Sequence, residues 1–237
     1  MSRIAENRNA LGIELTDLHI HLGGAVAPHM MWSLAHLQGF KLPVADYWEF
    51  VEFITIDPKK IHTLDDYLNY FQWTEKIQSS PEAVERSVYE IISKEYRSSN
   101  VTQIELRFNP MKRNRGGEQD LDHIIHAALR GLDRVKLDYR VKAGLIFCLA
   151  REFPYKLNRI IAEKAVLYRE RGVVGIDLAG SESQVSDLKS RAADYAALFE
   201  QARAKGLGIT IHAGETSANP ASDVLEIVEI AKPDRIG

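Results

Sequence analysis

Two short stretches of this sequence carry side chains that could do chemistry together. One is His-Ile-His, with His19 and His21; the other is His-Ala-Gly-Glu, running from His212 to Glu215. Two imidazoles at i and i+2 on a strand share a face and can grip one metal ion. A third imidazole from a distant strand completes three nitrogen ligands, a set that suits zinc with one position left for water. His-X-His alone is a modest signal. Joined to a His-Ala-Gly-Glu at the end of a later strand, it becomes a specific one. The plainer reading is a set of core histidines hydrogen-bonded to Asp17, Glu105 or Asp177. The remaining histidines point elsewhere. His123 and His126 stand three apart on a helical pattern with no third ligand in view, and read as a solvated face. His29, His36 and His62 lie in a helical region and read as surface or packing residues. Cys148 sits among apolar strand residues and reads as core filler.

The elements that must hold these residues follow from hydrophobic periodicity. Segments 15–22, 101–108, 141–149, 173–180 and 207–214 are rich in Val, Ile and Leu with near period two, and read as strands. Segments 81–97, 120–132 and 187–204 carry helical spacing. The later strands recur at the interval of one βα unit. Equal βα units in series predict a (β/α)8 barrel, one domain over 1–237, with 28–98 as a helical insertion or lid after the first strand. The insertion holds Trp32, Trp48, Phe50, Phe53, Tyr67, Tyr70, Phe71 and Trp73, mostly core residues at helical spacing. Some could instead line an aromatic cover over a planar substrate. Such a barrel takes ~250 residues without large insertions. The chain is therefore expected to cover five units and the start of a sixth at 234–237, with the rest absent or supplied by a C-terminal fragment.

In a parallel barrel the outer strand face packs on helices and is apolar. Leu18, Ile20 and Leu22 then face outward, and Asp17, His19 and His21 point in. By the same parity Gln103, Glu105 and Arg107 point inward from the second strand, Asp177 from the fourth, and Thr210 and His212 from the fifth. Glu215 falls just past that strand's end. Active sites of these barrels occupy the C-terminal strand ends, where His19, His21, His212 and Glu215 all lie.

Composition narrows the field further. Thirty basic against 33 acidic residues leave a net charge of −3, which gives no electrostatic footprint for nucleic acid or an anionic membrane. A single cysteine excludes an internal disulfide and every multi-thiolate zinc site. No apolar window approaches the ~20 residues that span a bilayer, and the polar start lacks a signal-peptide core. A cytoplasmic protein is expected. Phosphate-loop, HExxH and GxSxG patterns are absent from the sequence.

The stretches TDLHIHLGGAV (16–26), IELRFNP (104–110), VVGIDLAGSE (173–182) and ITIHAGETS (209–217) resemble the adenosine deaminase family of the amidohydrolase superfamily. The closing DRIG resembles the start of that family's RIGHG. The resemblance implies one zinc ion per chain on His19, His21 and His212. It makes Glu215 the proton shuttle to the purine N1 and the Gly180 N–H a contact to the ring, with His21 and Gly23 also at the substrate. Adenosine-specific members carry aspartate where Gly23 stands, so the group on the purine N9 is open; Gly23 could instead only permit a tight turn. The family's sixth-strand histidine and eighth-strand aspartate pair fall outside this sequence.

The implied reaction is hydrolytic removal of the 6-amino group of adenosine or a similar purine, giving the 6-oxopurine and ammonia. Its partner is thus a small purine nucleoside or base. Two alternatives stand beside it: a mononuclear amidohydrolase acting on another amide or amidine, and a truncated barrel that binds zinc without turnover. The fourth strand has no lysine to bridge two metals, which disfavours a two-metal site.

Overall fold

The computed structural model describes residues 12–114, 120–182, 190–216 and 221–237. Its strands pair in parallel in the order of the sequence, β1-β2-β3-β4-β5-β6. They are β1 (Leu15–His21), β2 (Val101–Phe108), β3 (Lys142–Ala150), β4 (Val173–Ala179), β5 (Gly208–Ile211) and β6 (Arg235–Ile236). Helices alternate with them from β2 onward, the connectivity of consecutive units in a (β/α)8 barrel. The chain divides into two compact units. One is Met1–Thr55, Trp73–Arg107 and Lys112–Gly144; the other is Ile56–Gln72, Phe108–Met111 and Leu145–Gly237.

The first unit holds β1 paired with β2, with His21 opposite Arg107. A short turn of helix, α1 (Leu22–Ala25), leaves β1 directly, and α2 (Pro28–Leu37) and α3 (Tyr47–Ile54) follow. Ahead of β2 stands the long α6 (Pro81–Ser99), capped by Ser80 and closed by Asn100 at φ 53°. Its buried positions Val84, Val88, Ile91 and Ile92 follow helical spacing and form the core with Ile125, Leu129 and Leu132 of α7 (Asp122–Asp138). Gly131 makes the approach close, since a Cβ there would stand 2.5 Å from the Glu85 carbonyl oxygen.

The second unit holds α4 (Leu64–Asn69), β3 from Leu145 onward and β4 to β6, with α8 (Tyr155–Leu167), α9 (Ala192–Ala204) and α10 (Ala221–Ala231). Register sets Cys148 beside Asp177, Asp177 beside Thr210, and Thr210 beside Arg235. The buried Asn158 side chain ties α8 to the end of β3 through both the N–H and the carbonyl of Ala150, each at 2.9 Å.

Several expectations need correction. β5 is four residues long and ends before His212, because the chain turns away at Ala213 and Gly214; only the His212 N–H keeps the ladder, donating to Leu178 O. Leu18, expected against helices, is 42% exposed. Gln103 is exposed rather than interior. The helix expected from 187 begins at Ala192, and 187–189 fall outside the described residues. The 120–132 pattern continues to Asp138. The region 28–98 is helical, with α5 (Phe71–Ile77) between α4 and α6. Of the aromatics expected mostly in the core only Phe50 is buried, against Trp32, whereas Trp48 and Tyr67 are exposed and the others half-buried.

Candidate active site

In the first unit the β1 alternation turns His19 and His21 to one side. Their Nε2 atoms face each other at 3.2 Å. Two nitrogens of a tetrahedral zinc site with bonds of ~2.0–2.1 Å lie ~3.3–3.4 Å apart, so this pair already has the bite of two ligands. The His19 N–H donates to Asp17 Oδ1 at 3.0 Å, which pins the strand at that point. Arg107, 1% exposed, reaches back from β2 and donates to Leu18 O at 2.7 Å, cross-linking the two strands between the histidines' neighbours.

Gly23 lies buried in α1, two residues after His21. Its backbone is helical and it is absent from the glycines with positive φ. Any residue could adopt that conformation, so a tight turn does not account for glycine here. Buried Gln78 donates to the Leu22 carbonyl beside it at 3.1 Å.

In the second unit His212 is 6% exposed and meets the fully buried Asp177. Its Nδ1 lies 3.0 Å from Asp177 Oδ2 and 3.2 Å from Oδ1, while the Thr210 hydroxyl donates to Oδ1 at 2.8 Å. A carboxylate on Nδ1 fixes the tautomer that leaves Nε2 as a lone-pair donor, the arrangement of a metal-ligating histidine. Arg151, 4% exposed at the end of β3, donates through Nη2 to the His212 carbonyl.

Glu215 is exposed near the start of the loop that His212 opens. Partial desolvation holds its carboxyl above the usual carboxylate range; Glu182 and Asp177 add to the rise, and His212 and Arg151 oppose it. The rise is in the direction that a proton-donating role requires. Gly180 follows β4 with φ 99°, a conformation that favours glycine, and a Cβ there would collide with the Glu152 carboxylate.

The family model for adenosine deaminase matches residues 15–237. The chain belongs to the adenosine deaminase family. Among relatives, the adenosine deaminase of Clostridium perfringens is 31% identical over 229 residues, covering 97% of this chain and 66% of that protein. That of Vibrio vulnificus is 28% identical over the same shares. The chain thus spans slightly less than two thirds of the length of these relatives. Its fold is shared with an N6-mAMP deaminase of Arabidopsis (TM-score 0.77, 23% identity, 95% of this chain and 65% of that one). It is also shared with an amidohydrolase of Burkholderia ambifaria that has bound zinc (TM-score 0.79, 22% identity, 100% and 61%).

Within this family member, the structure brings His19 to His21, and His212 to Asp177. It sets Gly23 two residues beyond His21 and Gly180 beside Glu152. Asp177 was legible as an inward strand residue and as one of three acids that could hold a core histidine; the structure gives it to His212. Arg151 and Glu182 carry no motif that marks them, although Glu182 closes the VVGIDLAGSE stretch.

Proposed function

We propose that the protein is a zinc-dependent deaminase that hydrolyses the 6-amino group of an adenine-type purine to the 6-oxopurine and ammonia. In this reading the whole chain acts as one barrel domain, with 28–98 as its helical cover. His19, His21 and His212 hold one zinc ion. The donor chemistry fits: two imidazole nitrogens stand at ligand spacing, and the third histidine has its Nδ1 committed to a buried carboxylate. Zinc there would supply a Lewis acid and a water made nucleophilic near neutral pH.

The rest falls to the chain's own groups. Glu215 keeps a proton and delivers it to ring N1 as C6 becomes tetrahedral, where the negative charge collects. The Gly180 N–H holds the ring, and Asp177 keeps His212 in its liganding tautomer. His21 and Gly23 border the substituent on N9. The absence of a carboxylate at Gly23 favours purines that do not depend on a carboxylate contact to a ribose hydroxyl. The name of the Arabidopsis protein makes N6-methyl-AMP a compound to test beside adenosine, AMP and adenine.

The observation that carries the reading is the His19–His21 pair at ligand spacing together with a third histidine oriented by a buried aspartate, with Glu215 three residues after it. The test is ultraviolet loss of the adenine band on that substrate panel, with metal content measured on the same protein. Glu215→Gln is expected to keep zinc and lose ~10²–10⁴ of turnover. Full turnover in that variant, or no turnover of any aminopurine by zinc-loaded wild type, overturns it.

A further inference from the structure

The loop that carries Glu215 is held by another acid. Glu182, in the turn after β4, directs both carboxylate oxygens into the start of that loop. Its Oε1 accepts from the Gly214 N–H at 2.7 Å, and its Oε2 accepts from the N–H groups of Glu215 and Thr216, each at 3.1 Å. The Thr216 hydroxyl adds a fourth donor at 3.3 Å. Three consecutive backbone N–H groups converging on one anion form a nest, a concavity built for negative charge. Gly214 makes this one, because its φ of 80° turns the chain so that successive N–H groups face the same way. Charge-assisted bonds of this kind are the strong ones.

We propose that Glu182 is the positioning residue for Glu215, fixing the proton-donating carboxyl by clamping the backbone on which it stands. This rests on the deaminase reading for its catalytic consequence, but the clamp itself is a matter of backbone geometry. The alternative, generic stabilisation of the β4 and β5 ends, makes a different prediction. A loss of stability lowers the amount of folded enzyme, whereas a displaced proton donor lowers kcat of the folded enzyme. The Gly214 peptide follows Ala213, so the clamp acts between the metal-ligand position and the donor and need not alter zinc binding. Arg151 secures the other side of the same segment through the His212 carbonyl.

The test compares wild type, Glu182→Gln and Glu182→Ala in the full chain loaded with zinc. Gln keeps the shape and one acceptor oxygen, but its amide hydrogens oppose a backbone N–H. Misplacing a reacting group by ~1 Å costs ~10²-fold. Glu182→Ala should therefore lose about 10²-fold in kcat with KM changed less than about threefold, and Glu182→Gln should fall between. Zinc content should equal that of wild type. Amide hydrogen exchange should quicken at residues 214–216 while the strand amides of β4 and β5 keep their protection. Added formate, a carboxylate small enough for the emptied nest, should restore part of the kcat of Glu182→Ala in a saturable way.

Wild-type kcat in Glu182→Ala, unchanged exchange at 214–216, or a loss confined to KM would each overturn the clamp. Failure of the deaminase reading looks different: wild type itself would turn over no aminopurine, and exchange at 214–216 alone would then decide whether Glu182 holds the loop.

Discussion

Replacing Asp177 gives the most quantitative check on the proposed metal site. Both carboxylate oxygens are occupied, Oδ1 by the Thr210 hydroxyl and Oδ2 by His212 Nδ1, in a position with no solvent exposure. In Asp177→Asn the Thr210 hydroxyl can rotate to accept from the new amide, so the amide oxygen stays on His212 Nδ1. Only the charge is lost. A bond to a charged acceptor contributes ~1.5–3 kcal/mol and a neutral one ~0.5–1.5, so the midpoints differ by about 1.3 kcal/mol, or close to tenfold in zinc affinity. In Asp177→Leu, of similar size, the Nδ1–H has no acceptor, and a buried unpaired donor costs ~1–3 kcal/mol. The upper end corresponds to about 100-fold in zinc affinity, within the range known for second partners of metal ligands. The assay is competition for zinc against a chromophoric chelator at neutral pH. Unfolding of the metal-free forms, measured alongside, separates ligand orientation from stability. The expected order is wild type, then Asn, then Leu. Equal zinc affinity within threefold across the three proteins would refute the view that Asp177 sets the His212 tautomer.

Other consequences follow from the packing. Gly180→Ala forces a side chain into positive φ and against Glu152, so chemical denaturation should show a loss of more than about 1 kcal/mol, with activity falling too. Gly131→Ala gains ~1 kcal/mol of helix propensity but drives a Cβ onto the Glu85 carbonyl of α6, and overpacking against backbone costs ~1–3 kcal/mol; a net loss is expected, and a more stable variant would show that α6 and α7 can part cheaply. Burial alone would raise the Glu85 carboxyl, but hydrogen bonds from Arg130 (2.8 Å) and Arg134 (3.1 Å) outweigh it and hold it below the usual range. Its contribution is therefore present above the unfolded value of 4.5 and lost as pH falls through the lower folded value. Both arginines are more than half exposed, so Glu85→Gln should cost less than about 1 kcal/mol at pH 7, with the difference from wild type vanishing under acid. A difference that persists at low pH would assign the effect to packing.

Much of this protein is legible along the chain because β3, β4 and β5 are mostly buried on both faces in the regular way of parallel sheets. The apolar run at 101–108 coincides with β2 and that at 173–180 overruns β4 by one residue, while Arg107, Asp177 and Thr210, expected inward by parity, are buried. Helix ends were less legible, since α7 runs on through Arg134 and Lys136, residues that any helix surface or loop could carry. The adenosine deaminase motifs named His19, His21, His212, Gly23, Gly180 and Glu215, because a motif preserves residue types at fixed spacing.

What the sequence could not contain is which groups meet across the strands. Asp177 finds His212 because the β4–β5 register puts it beside Thr210, two positions before the histidine. Glu182 finds the Gly214–Thr216 backbone more than thirty residues away, and backbone N–H groups have no letter of their own in a sequence. Gly23 looks like a turn residue in one dimension and proves helical in three. Local periodicity and residue type therefore determined the elements and the reactive side chains. Register and chain reversal, which depend on long-range hydrogen bonding, decided how those side chains are held.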